Sequence, residues 1–406
     1  MRKLRVGVWV NEDYNPEMGG GFGYYSQIIN ALYSYPFAAA EIVYISKKFS
    51  KHWDKKDKSY QIQTADFQPP VPSLKSRLVK KIAKKVGLET KKIDFTSARA
   101  IQQKKLKEEL AQVVDVLYYP IPGCEIQNFP YIYTLWDLGH LSTYAFPEFT
   151  MNDTFESRKH HHDYLPHKAL MVFCESETGK KEAVQYLNLN EKRIKVIPIF
   201  PSEIISDSID AIKPEELESD AFFIHYPAQF WSHKNHYNLL VAFQKVRLQN
   251  PNLKLVLSGA DKGNKDYVFD TIKTLGLKEA VVDLGFVAIE KLKWIYQNSQ
   301  GLVMPTFLGP TNMPLLEAAA LGCAVCCSDL AGHKEQMGNY AYFFNPLNAM
   351  ELAEQIINML EDQQQDKHRT YDADVFAITN ALDKMDLAFT EVRQLRFCWG
   401  ANDQIF

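Results

Sequence analysis

Short apolar runs alternate with segments of helical periodicity along nearly the whole 406-residue chain. Strands that alternate with helices indicate parallel sheets covered by helices, so the sequence predicts an α/β fold. The predicted strands are Leu4–Val10, Glu41–Ile45, Val116–Tyr119, Tyr131–Leu135, Ala169–Cys174, Ile194–Ile197, Phe222–Tyr226, Leu253–Ser258, Val281–Leu284, Gly301–Met304, Ala324–Ser328 and Ala341–Phe344.

One stretch interrupts this alternation near the middle of the chain. Residues Ile204–Asp220 are acidic and polar and contain Pro214, which is typical of a linker. A second series of strands and helices begins at Phe222. We therefore predict two Rossmann-like domains, at residues 1–205 and 219–385, joined by a linker at residues 206–218.

Composition and charge exclude several classes of protein. The net charge of −3 argues against general nucleic-acid binding. No stretch reaches the roughly 18 apolar residues that a bilayer-spanning helix needs. The first apolar run meets Asn11 at once, so we interpret it as a strand and not as an export signal. The six cysteines form no metal-like array, which fits reduced thiols in a cytoplasmic enzyme.

A basic amphipathic helix is predicted at residues 74–86. Leu74, Leu78, Ile82 and Val86 recur every four residues, and lysines and one arginine fill most positions between them. One interpretation is a peripheral contact with an anionic membrane surface, on the inner face of the cytoplasmic membrane. An ordinary solvated helix that packs on its own domain is an equal alternative.

Three segments carry candidate chemistry, and the first is the glycine run Met18–Tyr24, between the first strand and a predicted helix Tyr25–Tyr33. Glycines there let main-chain amides approach a bound group, and the following helix N-terminus favours an anion. Gly20 and Gly21 are therefore candidate ligand-binding residues. A plain tight turn explains the same glycines equally well.

The second segment, Tyr226–His236, follows the first strand of the C-terminal domain. A cation at this point faces the predicted cleft between the domains. Lys234 is therefore a candidate for binding a diphosphate as a point charge.

The third segment follows the predicted strand that ends at Met304. Pro314 falls in the first turn of a helix, where its missing N–H costs nothing. The main-chain amides of Thr311–Leu315 would then point at a ligand, and Glu317 lies one turn further, within reach of ribose hydroxyls. The candidate ligand-binding residues are Gly309, Pro310, Thr311, Asn312 and Glu317.

This third segment resembles the retaining GT-B glycosyltransferases of family 4, also described as glycosyl transferases group 1. Pro314-Leu-Leu-Glu317-Ala matches the end of their Glu-x7-Glu motif, and Gly309 stands where the first Glu is usual. The chain is similar to a subset of the form Gly-Pro-Thr-Asn-x-Pro-x-Leu-Glu. The resemblance implies a GT-B fold, in which an N-terminal acceptor-binding domain faces a C-terminal nucleotide-sugar-binding domain.

The resemblance covers further donor-site segments. The family's Gly-Arg-x4-Lys segment aligns with Ala228–Lys234, where Lys234 matches and Gln229 replaces the arginine. Phe286 lies in a segment that matches the loop whose main chain reads the nucleobase. Phe397-Cys398-Trp399 resembles the family's last helix, which implies that residues 386–406 pack back on the N-terminal domain.

In the N-terminal domain, Thr134–His140 resembles the family's Thr-x-His-Asp-Leu segment, and Phe146-Pro-Glu148 its Pro-Glu. Trp136 takes the usual position of the histidine. With Lys234, we take Asp137 and His140 as the catalytic candidates. A satisfied structural histidine is an equal reading of His140. The histidine run 160–162 lacks the spacing of neighbours on one helix face, and we predict no metal site.

The resemblance implies a retaining, metal-independent transfer of a hexose from a nucleotide-sugar donor to a glycan or lipid-linked glycan acceptor, with no cofactor. Surface polysaccharide biosynthesis is the expected setting. Two alternatives stay open: a catalytically silent GT-B protein that binds a sugar nucleotide or glycan, and a glycoside phosphorylase of the same fold. Gly309, Gln229 and Trp136, which depart from the family pattern, motivate the silent alternative.

Overall fold

The computed structural model describes residues 2–11, 20–49, 57–63, 95–218, 220–365, 367 and 369–398. The predicted basic helix at residues 74–86 and Trp399 lie outside the described residues. Within the described part, no helix is both long and apolar enough to cross a bilayer.

The first sheet is built from strands of the N-terminal half. Its strands are all parallel and follow the order β3-β2-β1-β4-β5-β6-β7. Most of its residues are buried because helices cover both faces, as expected for a parallel sheet. The strands are β1 (Leu4–Trp9), β2 (Ala40–Ser46), β3 (Ser59–Gln61), β4 (Val116–Tyr118), β5 (Tyr131–Leu135), β6 (Met171–Cys174) and β7 (Ile194–Val196).

The second sheet is built from the C-terminal half. Its strands are also parallel and follow the order β10-β9-β8-β11-β12-β13, which is the strand order 3-2-1-4-5-6 of a dinucleotide-binding fold. The strands are β8 (Phe223–Pro227), β9 (Lys254–Ser258), β10 (Val281–Asp283), β11 (Leu302–Met304), β12 (Val325–Ser328) and β13 (Tyr342–Phe344).

Helices connect successive strands and supply the outer layers of both domains. Their apolar faces pack on the sheets, as the buried Leu239, Phe243 and Val246 do in the first helix after β8. The described α-helices are α1 (Gly20–Ser34), α2 (Phe95–Val113), α3 (Gly139–Ser142), α4 (Pro147–Thr150), α5 (Thr154–Lys168), α6 (Glu177–Leu187), α7 (His236–Val246), α8 (Lys265–Thr274), α9 (Ile289–Asn298), α10 (Met313–Ala320), α11 (Ala331–Met337), α12 (Ala349–Gln364) and α13 (Ile378–Phe397).

The glycine run differs from its prediction. The prediction put Gly20 and Gly21 in a loop before a helix that starts at Tyr25, but α1 begins at Gly20. The buried rings of Tyr24 and Tyr25 anchor this first turn in the core, so tertiary packing outweighs the low helix propensity of glycine.

The last helix, α13, packs against the N-terminal sheet. Asp386 accepts hydrogen bonds from the main-chain N–H groups of Ala38 and Ala39, both at 2.9 Å. The helix begins at Ile378, so the start predicted at residue 386 falls within it.

Candidate active site between the two sheets

The carboxyl ends of the two sheets face a shared cleft with a cavity volume of about 320 Å³. Ligands of open α/β sheets bind at this end of the strands, where the strand order reverses. Of the predicted site residues, the walls include Gly21, Asp137, Gln229, Lys234, Gly309, Pro310, Thr311 and Asn312.

Lys234 brings a cation to this cleft. It ends a short 3₁₀ helix, Ser232–Lys234, just beyond β8. Among the described residues its ammonium group forms no ion pair. Burial lowers its pKa to about 8, against the opposing charges of Asp137 and Glu148. A half-buried cation without a partner favours an anionic ligand, which would restore its full charge.

The loop before α10 does not present all the free amides that were predicted. Asn312 donates its main-chain N–H to Gln336 Oε1 at 2.8 Å, and Leu315 donates to the carbonyl of Asn312 at 3.3 Å. In the described part of the chain, the amides of Thr311 and Met313 have no such partner. These two are therefore the donors that α10 offers to the cleft.

Gly309 has a backbone conformation that excludes a side chain. Its φ is +157°, and a Cβ built there would lie 1.9 Å from Asn312 Nδ2. The Asn312 amide holds the loop by donating to the carbonyl of Leu308 at 3.2 Å and by contacting His333 Nε2 at 2.9 Å. The loop therefore requires glycine at 309.

Glu317 lies beneath the cleft wall and does not line it. Its carboxylate accepts hydrogen bonds from the hydroxyls of Ser202, in the N-terminal domain, and of Tyr296, at 2.9 Å for the latter. Burial raises its pKa, and these two hydrogen bonds oppose that shift. In this arrangement its oxygens hold the two domains together.

The two remaining donor-site candidates differ in position. Gln229 lines the cleft, and its Oε1 accepts a hydrogen bond from Trp231 Nε1 at 3.0 Å. The Phe286 side chain is 72% exposed and is not part of the cleft wall. Gly20 also lies outside the wall, one residue before Gly21.

Asp137 is fixed at the N-terminal side of the cleft. Its Oδ1 accepts hydrogen bonds from the main-chain N–H of Gly139 at 2.8 Å and from Arg158 at 2.5 Å. Burial raises the pKa of Asp137, but the charge and hydrogen bonds of Arg158 and Gly139 outweigh it and leave the pKa below its usual value. Asp137 is therefore ionised near neutral pH.

His140 does not reach the cleft wall. Its buried ring accepts a hydrogen bond at Nδ1 from Arg158 Nε at 3.3 Å. Burial and the nearby Arg158 lower its pKa to about 4, so the ring is neutral. It supports Arg158, and through it Asp137, which agrees with the structural reading of this histidine.

Glu175 is a cleft residue that sequence reasoning missed. It follows β6 directly and lines the cleft, where it accepts a hydrogen bond from the Thr311 hydroxyl of the other domain. Burial raises its pKa to about 8, and the Thr311 hydrogen bond opposes that shift. An acidic residue immediately after the predicted strand Ala169–Cys174 was the available signal, because strand ends face the cleft.

A second cavity, of about 330 Å³, adjoins the cleft and shares Trp136 and Asp137 with it. Tyr133 Oη and Trp136 Nε1 are buried and have no hydrogen-bond partner within the described part of the protein. Arg158, His161 and other residues of α5 complete the wall. This cavity offers aromatic surface together with the polar side chains of Arg158 and His161.

A metal centre is not assembled in the described residues, since no three His, Cys, Asp or Glu side chains there are placed to hold an ion. Asp372-Ala-Asp374 has the spacing of a metal-binding pair of aspartates. The Asp372 side chain instead accepts the main-chain N–H of Asp374 at 3.2 Å, and neither residue lines the cleft.

The C-terminal residues that form most of this site match a known protein family. Residues 207–374 match the family model described as Glycosyl transferases group 1. The C-terminal half of the chain is therefore a Glycosyl transferases group 1 domain, and Gln229, Lys234 and the 309–312 loop belong to it.

Curated relatives match parts of the chain. O-antigen chain mannosyltransferase B of Escherichia coli is 25% identical over 237 residues, which are 55% of this chain and 60% of the relative. The uncharacterized glycosyltransferase MJ1607 of Methanocaldococcus jannaschii is 29% identical over 184 residues, 43% of this chain and 47% of the relative. The chain thus spans about half the length of the curated relatives it matches.

Solved structures match the whole fold. A glycosyltransferase from Rickettsia africae superimposes with a TM-score of 0.63 at 16% identity, covering 97% of this chain and 99% of the other. Anabaena HepE, solved with UDP and glucose, superimposes with a TM-score of 0.57 at 16% identity and the same coverage. These similarities confirm the predicted α/β fold of GT-B type, with two Rossmann-like domains.

Proposed function

From a Glycosyl transferases group 1 domain that meets a second Rossmann-like domain, we propose a retaining, metal-independent hexosyltransferase of family 4. It moves a sugar from a nucleotide-sugar donor to a glycan or lipid-linked glycan acceptor. The observation that supports the proposal is Lys234, a half-buried cation in the cleft between the domains that forms no ion pair with any described residue. A diphosphate is the donor group that such a cation would bind.

The donor's diphosphate is the leaving group of this reaction. As the bond between the sugar's anomeric carbon and the β-phosphate oxygen breaks, negative charge develops on that oxygen. Lys234 and the free amides of Thr311 and Met313 stabilise it, with the N-terminus of the eight-residue helix α10 behind them. The acceptor oxygen forms the new bond to the anomeric carbon, and its proton passes to the leaving phosphate.

Asp137 and Arg158 act on the acceptor side of the cleft. The ionised Asp137 accepts a hydrogen bond from the attacking hydroxyl, while Arg158 and His140 keep its carboxylate in place. The adjoining cavity beside Trp136 and Tyr133 receives the acceptor's sugar ring, since its aromatic and polar side chains suit a glycan.

The setting we propose is surface polysaccharide biosynthesis on the cytoplasmic side of a membrane. Two of the relatives are O-antigen chain mannosyltransferases, from Escherichia coli and Salmonella typhimurium. The basic segment at residues 74–86 supports a peripheral contact with anionic lipid. Family 4 membership in its Gly-Pro-Thr-Asn subset rests on residues 309–317.

The first test is a thermal-shift titration with UDP, GDP, ADP and dTDP, with and without EDTA. A ligand that binds only the folded protein raises the melting temperature by mass action. We expect one nucleotide to raise it, EDTA to leave the shift unchanged, and Lys234→Ala to abolish it. Lys245→Ala is the matched control, because Lys245 is an exposed lysine on the neighbouring helix α7.

Each outcome of this titration is decisive. A shift that EDTA removes would contradict metal independence. If no nucleotide shifts the melting temperature, the donor site assigned to Lys234 is wrong. Nucleotide binding without transfer or hydrolysis of any sugar nucleotide would favour the silent binding protein instead.

A further inference from the structure

Glu175 lines the cleft and contacts the opposite domain. It stands at the carboxyl end of β6, and its Oε2 accepts a hydrogen bond from the Thr311 hydroxyl across the interface. Its Oε1 has no hydrogen-bond partner in the described part of the chain. The carboxylate is therefore anchored by one oxygen to the loop that precedes α10, and the other oxygen is available to a ligand.

The loop itself has no carboxylate and has no room for one. Gly309 cannot carry a side chain, because a Cβ would collide with the Asn312 amide at 1.9 Å. Among the residues that the structure describes, the cleft wall contains two acidic ones, Asp137 and Glu175. Asp137 is held by Arg158 and Gly139 on the acceptor side, whereas Glu175 contacts Thr311 of the donor loop.

A hexose ring offers the groups that such an oxygen needs. Sugar hydroxyls can donate to a protonated or an ionised carboxyl group, and the hydrogen bond to the ionised form, which Glu175 takes above its pKa of about 8, is roughly twice as strong. A diphosphate at Lys234 and the free amides of Thr311 and Met313 would leave its sugar next to Thr311, and thus next to Glu175. The partially buried carboxylate gains hydrogen bonds there that water supplies poorly in a closed cleft.

We propose that Glu175 binds a hydroxyl group of the sugar being transferred, and so determines which sugar the enzyme accepts. The inference rests on the proposed glycosyl transfer and deepens it. It assigns to the N-terminal domain a donor-sugar contact that the 309–312 loop cannot make. The class of donor it selects is a hexose with a free hydroxyl at the contacted carbon, in preference to the corresponding deoxy sugar.

The test measures the contribution of the sugar to donor recognition separately from that of the diphosphate. Glu175→Gln and Glu175→Ala are compared with Glu177→Gln, an exposed carboxylate two residues away that is outside the cleft wall. The probes are UDP with UDP-glucose and GDP with GDP-mannose, and the pair that binds is used. We expect unchanged affinity for the free diphosphate, and kcat/KM for donor hydrolysis and for transfer reduced about 10- to 100-fold.

Monodeoxy analogues of the active donor identify the contacted hydroxyl. With the wild type, one analogue loses activity about as much as Glu175→Ala does with the full donor. With Glu175→Ala, that analogue and the full donor react at similar rates, because the interaction is absent from both. This coupling would not arise if Glu175 only stabilised the fold.

Two results would overturn the inference. If the Glu175 variants raise only the KM for the acceptor and hydrolyse the donor at the wild-type rate, Glu175 serves the acceptor. If all deoxy analogues lose the same factor in wild type and variant, Glu175 does not contact the sugar. Failure of the wild type to bind any of UDP, GDP, ADP and dTDP would instead refute the donor site itself, which is a separate outcome.

Discussion

His233 Nδ1 lies 2.6 Å from Glu148 Oε1, and this buried pair joins the two domains beside the cleft. The main-chain N–H of His233 donates to the same oxygen at 2.8 Å. Burial raises the pKa of Glu148, but these hydrogen bonds outweigh it and hold the pKa below its usual value. The ionised carboxylate is therefore the form that stabilises the closed interface.

Glu148→Gln should destabilise the protein by about 1–3 kcal/mol, because an uncharged amide oxygen accepts the two hydrogen bonds of His233 more weakly than a carboxylate does. Chemical denaturation at pH 7 measures the change, with the exposed Glu156→Gln as control. The contribution is complete above the unfolded-state pKa near 4.5 and declines as pH falls through the lower folded-state pKa. Equal stability of Glu148→Gln and wild type at pH 7 would contradict this role.

Lys234 makes nucleotide binding dependent on pH. Because its pKa is about 8 in the empty cleft, diphosphate affinity should fall as pH rises from 7 to 9.5. Lys234→Arg should remove much of this decline, since arginine stays protonated. Titrations at several pH values measure the dissociation constants, and a wild-type affinity that is constant to pH 9.5 would exclude Lys234 as the ligand.

Glu175 adds a second component to that pH dependence. Its pKa is also about 8, so the cleft gains a negative charge in the same range, next to the charged Asp137 and Lys234. Glu175→Gln should therefore retain the pH dependence that Lys234 causes and lose the pH dependence that Glu175 causes. The activity profile of Glu175→Gln would then lack the rise that ionisation of the carboxylate gives to donor hydrolysis. Identical profiles for variant and wild type would contradict the assignment.

Gly309→Ala tests the shape of the donor loop. The clash with Asn312 should shift the loop and reduce kcat/KM for transfer by more than about tenfold, since misplacement of about 1 Å near the reacting atoms is costly. Gly263→Ala is the matched control, because Gly263 also has a positive φ, of +98°, but a Cβ there meets nothing within 4 Å. Similar losses in both variants would indicate backbone strain alone.

Asp386 tests the docking of α13. Asp386→Ala removes the acceptor of two main-chain N–H groups, at Ala38 and Ala39, and should cost about 1–3 kcal/mol of unfolding free energy. Asp374→Ala, at an exposed aspartate before α13, is the control. Chemical denaturation measures both, and an Asp386→Ala change no larger than the control would refute the docking role.

Most of the fold could be predicted from the sequence because buried parallel strands are apolar runs. The predicted strands all correspond to observed ones, within a few residues at their ends. One observed strand, β3 (Ser59–Gln61), was not predicted. It is a short polar strand at the edge of the described sheet, where it pairs with β2 and is only partly buried, so its sequence carries no apolar signal.

Only the part of the site that a single domain forms could be predicted from the sequence. Lys234 and the loop at residues 309–312 follow strand ends within a single sheet, and the structure brings them together. Contacts such as Thr311 with Glu175, and Ser202 with Glu317, depend on how the domains dock. The periodicity of either domain gives no information on that docking, so the sequence could not predict the Ser202–Glu317 contact and gave no role to Glu175.

The return of α13 to the N-terminal sheet means that the chain crosses between the domains twice. One crossing is at residues 206–218, and the other precedes Ile378, where α13 begins. Two connections restrict the relative motion of the domains more than one does, because they oppose twisting and sliding. Opening of the cleft is thereby restricted to a rotation of one domain relative to the other, about an axis through both crossings.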